Sequence, residues 1–294
     1  MSTAEHVTGE WYRSEQRRRV LVGVDGSEDG LRAVRYGARR VARLGGVLHL
    51  VHAVDDAVLA GAWGVVYDPS ALQEAGEQAN EQAVAAAREL GLAEDQVHAE
   101  VVLGNGAAVL TRMSEGADLL VVGRRSVSGL ERMFIGSTSI AVASGAHCPV
   151  VVISAAVTPG QADNFGRVAA GVDAQSHSAS TLAWAFEQAS NRQAALQVVH
   201  VAKPVQTRVA GDQLATAAGE GIEQIIAPLR AQFPQVDCQV QVTSGAPVDE
   251  LVELSRQVDL LVLGVPKPRM LGFGMGGVMR AVMAHALCPV ALVK

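Results

Sequence analysis

The feature that most constrains this chain is an internal repeat. Val20-Leu21-Val22-Gly23-Val24-Asp25 recurs as Val168-Ala169-Ala170-Gly171-Val172-Asp173, and Leu50-Val51-His52-Ala53 recurs as Val198-Val199-His200-Val201. The run ending in Gly123 recurs in the run ending in Gly264, and Cys148-Pro149-Val150-Val151-Val152-Ile153 recurs as Cys288-Pro289-Val290-Ala291-Leu292-Val293. Four matches in one order over 294 residues mean two copies of a single domain joined head to tail. The spacing between matched positions falls from 148 at the first strand to 140 at the last, so the second copy is shorter, with the loss expected around its second helix. The expected division is a tail at 1–17, a first domain at 18–155, a linker at 156–166 containing Pro159-Gly160, and a second domain at 167–294.

Within each copy the pattern alternates. In the first, aliphatic strands are expected at 20–25, 47–54, 97–103, 119–122 and 149–153. Helices are expected between them at 31–44, 70–90 and 107–115, and near 137–145. Strand, helix, strand, helix throughout specifies an α/β fold with a parallel sheet. Composition agrees: apolar residues make up 49% and aromatic residues 4%, so the core must be Val, Leu, Ala and Ile, as in parallel strands covered by Ala-rich helices.

Several functional classes are disfavoured. A net charge of -6 argues against a general nucleic-acid binder, and Arg17-Arg18-Arg19 reads as a solvated lead-in to the first strand. No apolar run reaches a membrane-spanning length and residues 1–16 lack a signal-peptide core, so a cytoplasmic location is expected. Cys148, Cys238 and Cys288 form no CxxC pair and no disulfide framework.

The stretch with the most chemistry is Gly123 to Thr138. The strand at 119–122 ends at Gly123, where a side chain would hinder the approach of a ligand. Gly136-Ser137-Thr138 opens the next helix, whose unpaired N–H groups, together with the hydroxyls, would suit an anion. The residues thus read as a phosphate cradle, beside the plainer reading of an ordinary strand-loop-helix turn.

Each copy resembles a universal stress protein domain, and the chain resembles the tandem members of that family. Nucleotide-binding members carry G-x2-G-x9-G-[ST] after the fourth strand and an Asp at the end of the first. Here the pattern is met by Asp25, Gly123, Gly136 and Ser137, with Ser126 at the second glycine position. The resemblance implies two flavodoxin-like domains, each a five-stranded parallel sheet of order 3-2-1-4-5 flanked by helices. It also implies adenine near Asp25 and the backbone of Ala53, ribose near Gly123, and phosphates at Gly136, Ser137 and Thr138. The cofactor implied is ATP, with Mg2+ carried on the phosphates. In the second copy Asp173, Val201 and Gly264 hold matching places, Lys267 replaces the second glycine, and Gly277-Val278 replaces the glycine-hydroxyl pair. The first copy is therefore expected to hold the better site.

Other residues are assigned plainer roles. His52 and His200 read as core fillers, and Cys148 and Cys288 as small core residues. Arg124 and Arg125 could reach a triphosphate or lie in solvent, and Trp63 and Tyr67 occupy the long connection after the second strand. There is no G-x4-G-K-[ST], and no receiver-type acid ends the third strand. The expected function is a nucleotide-dependent regulatory protein of the stress response, not an enzyme. The competing classes are a scaffold of the same fold without nucleotide, and a slow ATPase. The two domains are expected to pair through their last strands as an internal pseudo-dimer, with homodimerisation of two chains as a further expectation.

Overall fold

The computed structural model describes residues 17–55, 69–124, 135–153, 165–173, 179–202, 208–265 and 276–294. Ser126, Lys267, Arg125, Trp63 and Tyr67 lie outside the described residues.

The first half forms β1 (Arg19–Val24), α1 (Glu28–Leu44), β2 (Val47–Val54), α2 (Pro69–Arg88), β3 (Val97–Leu103), α3 (Gly106–Met113), β4 (Leu119–Gly123), α4 (Ser137–Gly145) and β5 (Val150–Ile153). The second half repeats the order with β6 (Arg167–Gly171), α5 (Ala179–Arg192), β7 (Ala195–Ala202), α6 (Arg208–Gln232), β8 (Cys238–Ser244), α7 (Pro247–Leu254), β9 (Leu260–Gly264), α8 (Gly277–His285) and β10 (Val290–Val293). Helix α6 has 25 residues against 20 in α2, so the shortening of the second copy falls on the connections around the helix.

The strands form one ten-stranded sheet, ordered β3-β2-β1-β4-β5-β10-β9-β6-β7-β8. Each half thus has the order 3-2-1-4-5, and every pairing within a half is parallel. The two last strands meet antiparallel, with Val152 opposite Val290, Val151 opposite Ala291 and Val150 opposite Leu292. An apolar β5 left at an edge would offer its backbone groups to other chains, and pairing with β10 removes that edge.

Alternation along the strands divides the core. Val20, Val22 and Val24 of β1 face a layer formed with α1, α2, α5 and α6, while Leu21 faces a layer that includes Val109, Val142, Leu251 and Val282. Both layers run across the two halves, so sheet and core are continuous through the junction. Among the described residues no helix is long and apolar enough to cross a membrane.

Helix α1 begins three residues earlier than the apolar periodicity predicts. Ser27 is its N-cap, accepting from Gly30 N at 3.0 Å, and Glu28 and Asp29 place negative charge in the first turn, where the helix dipole favours it.

Candidate functional site

The order of strands reverses at β1, which has β2 on one side and β4 on the other. In open α/β sheets a crevice forms outside the carboxyl ends of the strands at such a point. Asp25 follows β1, Ala53 lies near the end of β2, Gly106 opens α3, Gly123 ends β4 and Thr138 lies in the first turn of α4.

A tie between β4 and α4 fixes this end of the sheet. Arg124 N donates to Ile153 O at 2.6 Å, Gly136 N donates to Arg124 O at 2.8 Å, and Ser139 Oγ donates to Gly123 O at 2.8 Å. Helix α4 is therefore anchored to the strand at its base whatever residues 125–134 do. Gly136 is the N-cap and its N–H is used in this tie. No side chain caps α4, so the next N–H groups, at Ser137 and Thr138, lack both intrahelical and side-chain acceptors among the described residues. Helix α3 differs, because Asn105 Oδ1 accepts from Ala107 N at 3.1 Å and Ala108 N at 3.3 Å. Among the described residues, the start of α4 keeps the N–H groups of Ser137 and Thr138 for an anion, whereas the side chain of Asn105 takes two of those at the start of α3.

Gly106 is a site residue that motif reading passes over. A Cβ built there would lie 3.6 Å from Ala53 Cβ and 3.8 Å from Thr138 Cγ2, so the missing side chain leaves a gap bordered by three elements. The spacing Gly104-Asn105-Gly106 fits no nucleotide motif, and only the packing of α3 against β2 and α4 reveals it.

Gly123 also has a packing role that its place in the motif does not disclose. A Cβ there would approach within 2.7 Å of the Asp29 carbonyl carbon and 2.9 Å of Gly30 N, so the glycine admits the first turn of α1 against β4. Asp25 is engaged in the same region: its Oδ1 accepts from Ser27 N at 3.0 Å and Ser27 Oγ at 2.6 Å. One carboxylate oxygen thus shapes the turn into α1. His52 faces the Val24 carbonyl, and its buried Nδ1 makes no hydrogen bond of good geometry among the described residues. Burial pushes the His52 imidazole below its ordinary range, opposed by the charge of Asp25 and by the Val24 carbonyl.

Arg124 takes neither of the roles expected from sequence. It is 5% exposed and donates through NH1 to the carbonyl of Ala284, in the last turn of α8, so it ties the two halves together. The guanidinium also meets the negative end of that helix. Cys148 and Cys288 are pushed up to about 12, chiefly by burial, which keeps both as thiols and fits the packing role expected for them. His147, for which the sequence shows no carboxylate partner, lies 3.6 Å from Glu115.

In the second half Asp173 follows β6, Val201 lies in β7 and Gly264 ends β9. A Cβ at Gly264 would lie 2.8 Å from Thr181 Oγ1, so this glycine also makes room for the helix that follows the half's first strand. Gly276 is the N-cap of α8 and Gly277 its first residue. The N-cap glycine that matches Gly136 is therefore Gly276, one residue before the position taken from the sequence comparison, which puts Gly277 opposite Ser137 and Val278 opposite Thr138.

This architecture, a doubly wound sheet duplicated and joined edge to edge, defines a class of tandem α/β proteins. The chain belongs to the universal stress protein family, whose model matches it twice, at residues 16–154 and 164–294. A universal stress protein of Mycobacterium tuberculosis is 30% identical over 259 residues, covering 83% of this chain and 85% of the relative. A second from the same organism is 28% identical over 291 residues, covering 94% and 96%. Among solved structures, a universal stress protein from Archaeoglobus fulgidus matches with a TM-score of 0.67 at 18% identity, covering 94% of this chain and 96% of that one, a likeness of fold.

Proposed function

We propose that the first half binds an adenine nucleotide in the crevice between β1 and β4, and that the protein acts as a nucleotide-dependent regulator of the stress response. The observation that carries this reading is the gap bordered by Ala53, Gly106 and Thr138 beside the uncapped start of α4. A phosphate group suits N–H donors at a helix start, and the hydroxyls of Ser137 and Thr138 add to them. The residues present fit ATP in the following assignment. Asp25 and the backbone of Ala53 would hold the base, Gly123 would border the ribose, and Ser137 and Thr138 would meet the phosphates. Gly136 would act by fixing the helix start, its own N–H being engaged. Ser126 completes the assignment from the loop outside the described residues.

Among the described residues no group of three or more His, Cys, Asp or Glu is placed to hold a metal ion. Mg2+ would be carried by the phosphates, whose oxygens suit it. In the second half the matching assignment is Asp173, Val201, Gly264, Lys267 and Gly277, and we propose that this site is the weaker or is closed. The protein is proposed to work in the cytoplasm as a regulator without rapid turnover, its two domains being 18–155 and 167–294.

Calorimetric titration of the full chain with ATP and Mg2+ tests the reading. The expected result is one nucleotide per chain, abolished by Gly136→Glu while the circular dichroism spectrum is retained. Absence of binding at about 1 mM ATP, a level that would detect even weak sites, would overturn it in favour of a scaffold.

A further inference from the structure

The sheet ends in two edges, β3 and β8, which hold matching places in the two halves and are finished differently. Which of their backbone groups face outward follows from bonds at the strand ends. Gly104 N donates to Val54 O at 2.7 Å, so by the alternation of a strand the N–H and C=O groups of His98, Glu100 and Val102 turn toward β2, and those of Val97, Ala99 and Val101 turn away from the sheet. In β8 the bonds from Leu196 N to Asp237 O at 2.8 Å and from Gly245 N to Ala202 O at 3.2 Å leave Cys238, Val240 and Val242 facing outward.

The β8 edge is shielded at its start. Arg230 NH2 donates to Cys238 O at 2.9 Å and so covers the first outward carbonyl, as edge strands commonly require. On β3 the Val97 N–H turns back to Glu94 O, while the Val97 carbonyl and both backbone groups of Ala99 and Val101 bond nothing among the described residues. Ala99 points to the face where Val101 meets α2 at Gly76, yet it is exposed, so the helix leaves the middle of this edge open.

A second, independent observation is the charge pattern on the other face. His98 is exposed and Glu100 half-buried, two residues apart on one side of the strand. Glu100 Oε1 lies 2.7 Å from His49 Nε2, which fixes the carboxylate and leaves its second oxygen to meet a donor. The matching residues of β8 are Gln239 and Gln241, and Gln241 is engaged with Gln197 at 2.7 Å. Only the β3 edge therefore carries a base and an acid placed to complement a copy of itself.

We propose that the β3 edge is a docking surface for a second copy of this chain, paired antiparallel about a two-fold axis at Ala99. That axis sets the N–H and C=O of Ala99 against those of its counterpart and the Val101 N–H against the Val97 carbonyl, so four hydrogen bonds form from the outward groups that are open. It also sets His98 of each copy opposite Glu100 of the other, at the closely spaced side-chain positions between the bonded pairs. The neighbouring registers, with the axis at His98 or at Glu100, place like residues face to face and are disfavoured. The molecule already closes one pair of edges in this way, where β5 meets β10 antiparallel. The surface is separate from the proposed nucleotide crevice and does not depend on it.

Sedimentation velocity of the full chain at about 200 µM, high enough to populate a weak pairing, tests the proposal. The parent is expected to dimerise. His98→Glu and Glu100→Lys each set like charges face to face twice and are each expected to weaken the dimer at least about tenfold. An equimolar mixture of these two variants is expected to dimerise again, because both contacts of the mixed pair join an acid to a base. Ala99→Pro removes an N–H that serves no bond within the chain, so it is expected to keep Tm and lose the dimer. Gln239→Glu, at the matching place on β8, is expected to leave the dimer intact. The proposal is overturned if the parent is monomeric at that concentration, if His98→Glu or Ala99→Pro dimerises like the parent, if the mixture of folded variants stays monomeric, or if Gln239→Glu dissociates the dimer.

Discussion

The two crevices of this chain share a backbone and differ in what fills them. Where the first half has Ala53, Gly106 and Thr138, the second has Val201, Pro247 and Val278, each matched by its place in strand or helix. Every exchange adds bulk or removes a polar group. Ala to Val adds two carbons at the strand end, and Pro247 at the start of α7 occupies the position that Gly106 leaves empty. Val278 replaces a hydroxyl with a methyl and is 44% exposed. The helix starts diverge too, since Asn105 caps α3 through its side chain whereas Ala246, the N-cap of α7, offers no such cap. Duplication preserved the scaffold, while the residues bordering the proposed crevice diverged.

The sharpest break of this comparison is a charge. Thr138→Glu would set a carboxylate against the proposed phosphate position and is expected to lower ATP affinity at least about a hundredfold, or ~2.7 kcal/mol, by like-charge repulsion. The matching change in the second half, Val278→Glu, is expected to leave affinity within about twofold. Equal losses from both would mean that the crevices act alike. A smaller effect is expected from Gly106→Val, which fills the gap between Ala53 and Thr138 without adding charge. Overpacking of this kind costs about 1–3 kcal/mol, here taken from nucleotide binding. The built Cβ makes only ordinary contacts, so Tm should move little. A large fall in Tm with unchanged ATP affinity would instead make Gly106 a packing residue.

How far the sequence discloses this molecule depends on the range of the interaction. Strands β2 and β3 lie at 47–54 and 97–103 as their aliphatic runs require, a property of local pattern. The order 3-2-1-4-5, present in both halves, is the one that the family resemblance implies. The start of α1 was missed because the cap at Ser27 overrides apolar periodicity. The packing of Gly123 on the backbone of Asp29 joins positions far apart in the chain, and the fate of Arg124 is a carbonyl 160 residues away. No motif encodes such contacts. Gly106 likewise acquires meaning only when α3 and α4 are brought together.

The junction between the halves offers a second contrast, because two of its cationic ties are unequal. Arg124 is buried and donates to the Ala284 carbonyl, while Lys294 is exposed and donates to the Ala146 carbonyl at 2.6 Å. Both meet the C-terminal end of a helix in the other half. A hydrogen bond from a charged donor contributes about 1.5–3 kcal/mol when buried, so Arg124→Ala should lower unfolding stability by that order. Lys294→Ala should cost less than about 1 kcal/mol, as exposed charges do. Urea denaturation checks both, and a Lys294 effect equal to that of Arg124 would show that burial does not govern the junction.

The smallest effect separates the paired histidines. His200 Nδ1 lies 2.9 Å from the Val172 carbonyl, whereas the buried His52 Nδ1, beside the Val24 carbonyl, makes no hydrogen bond of good geometry among the described residues. Burial depresses the folded pKa of His52 below its ordinary 6.5, so the unfolded chain takes up protons first as pH falls. The stability tied to neutral His52 is therefore fully present above about pH 6.5 and is lost as pH falls from there through the lower folded pKa. Denaturation midpoints between pH 7.5 and 5 should decline, and His52→Gln should flatten part of that slope. An unchanged slope in His52→Gln would assign the pH dependence to other groups and leave the two histidines equivalent.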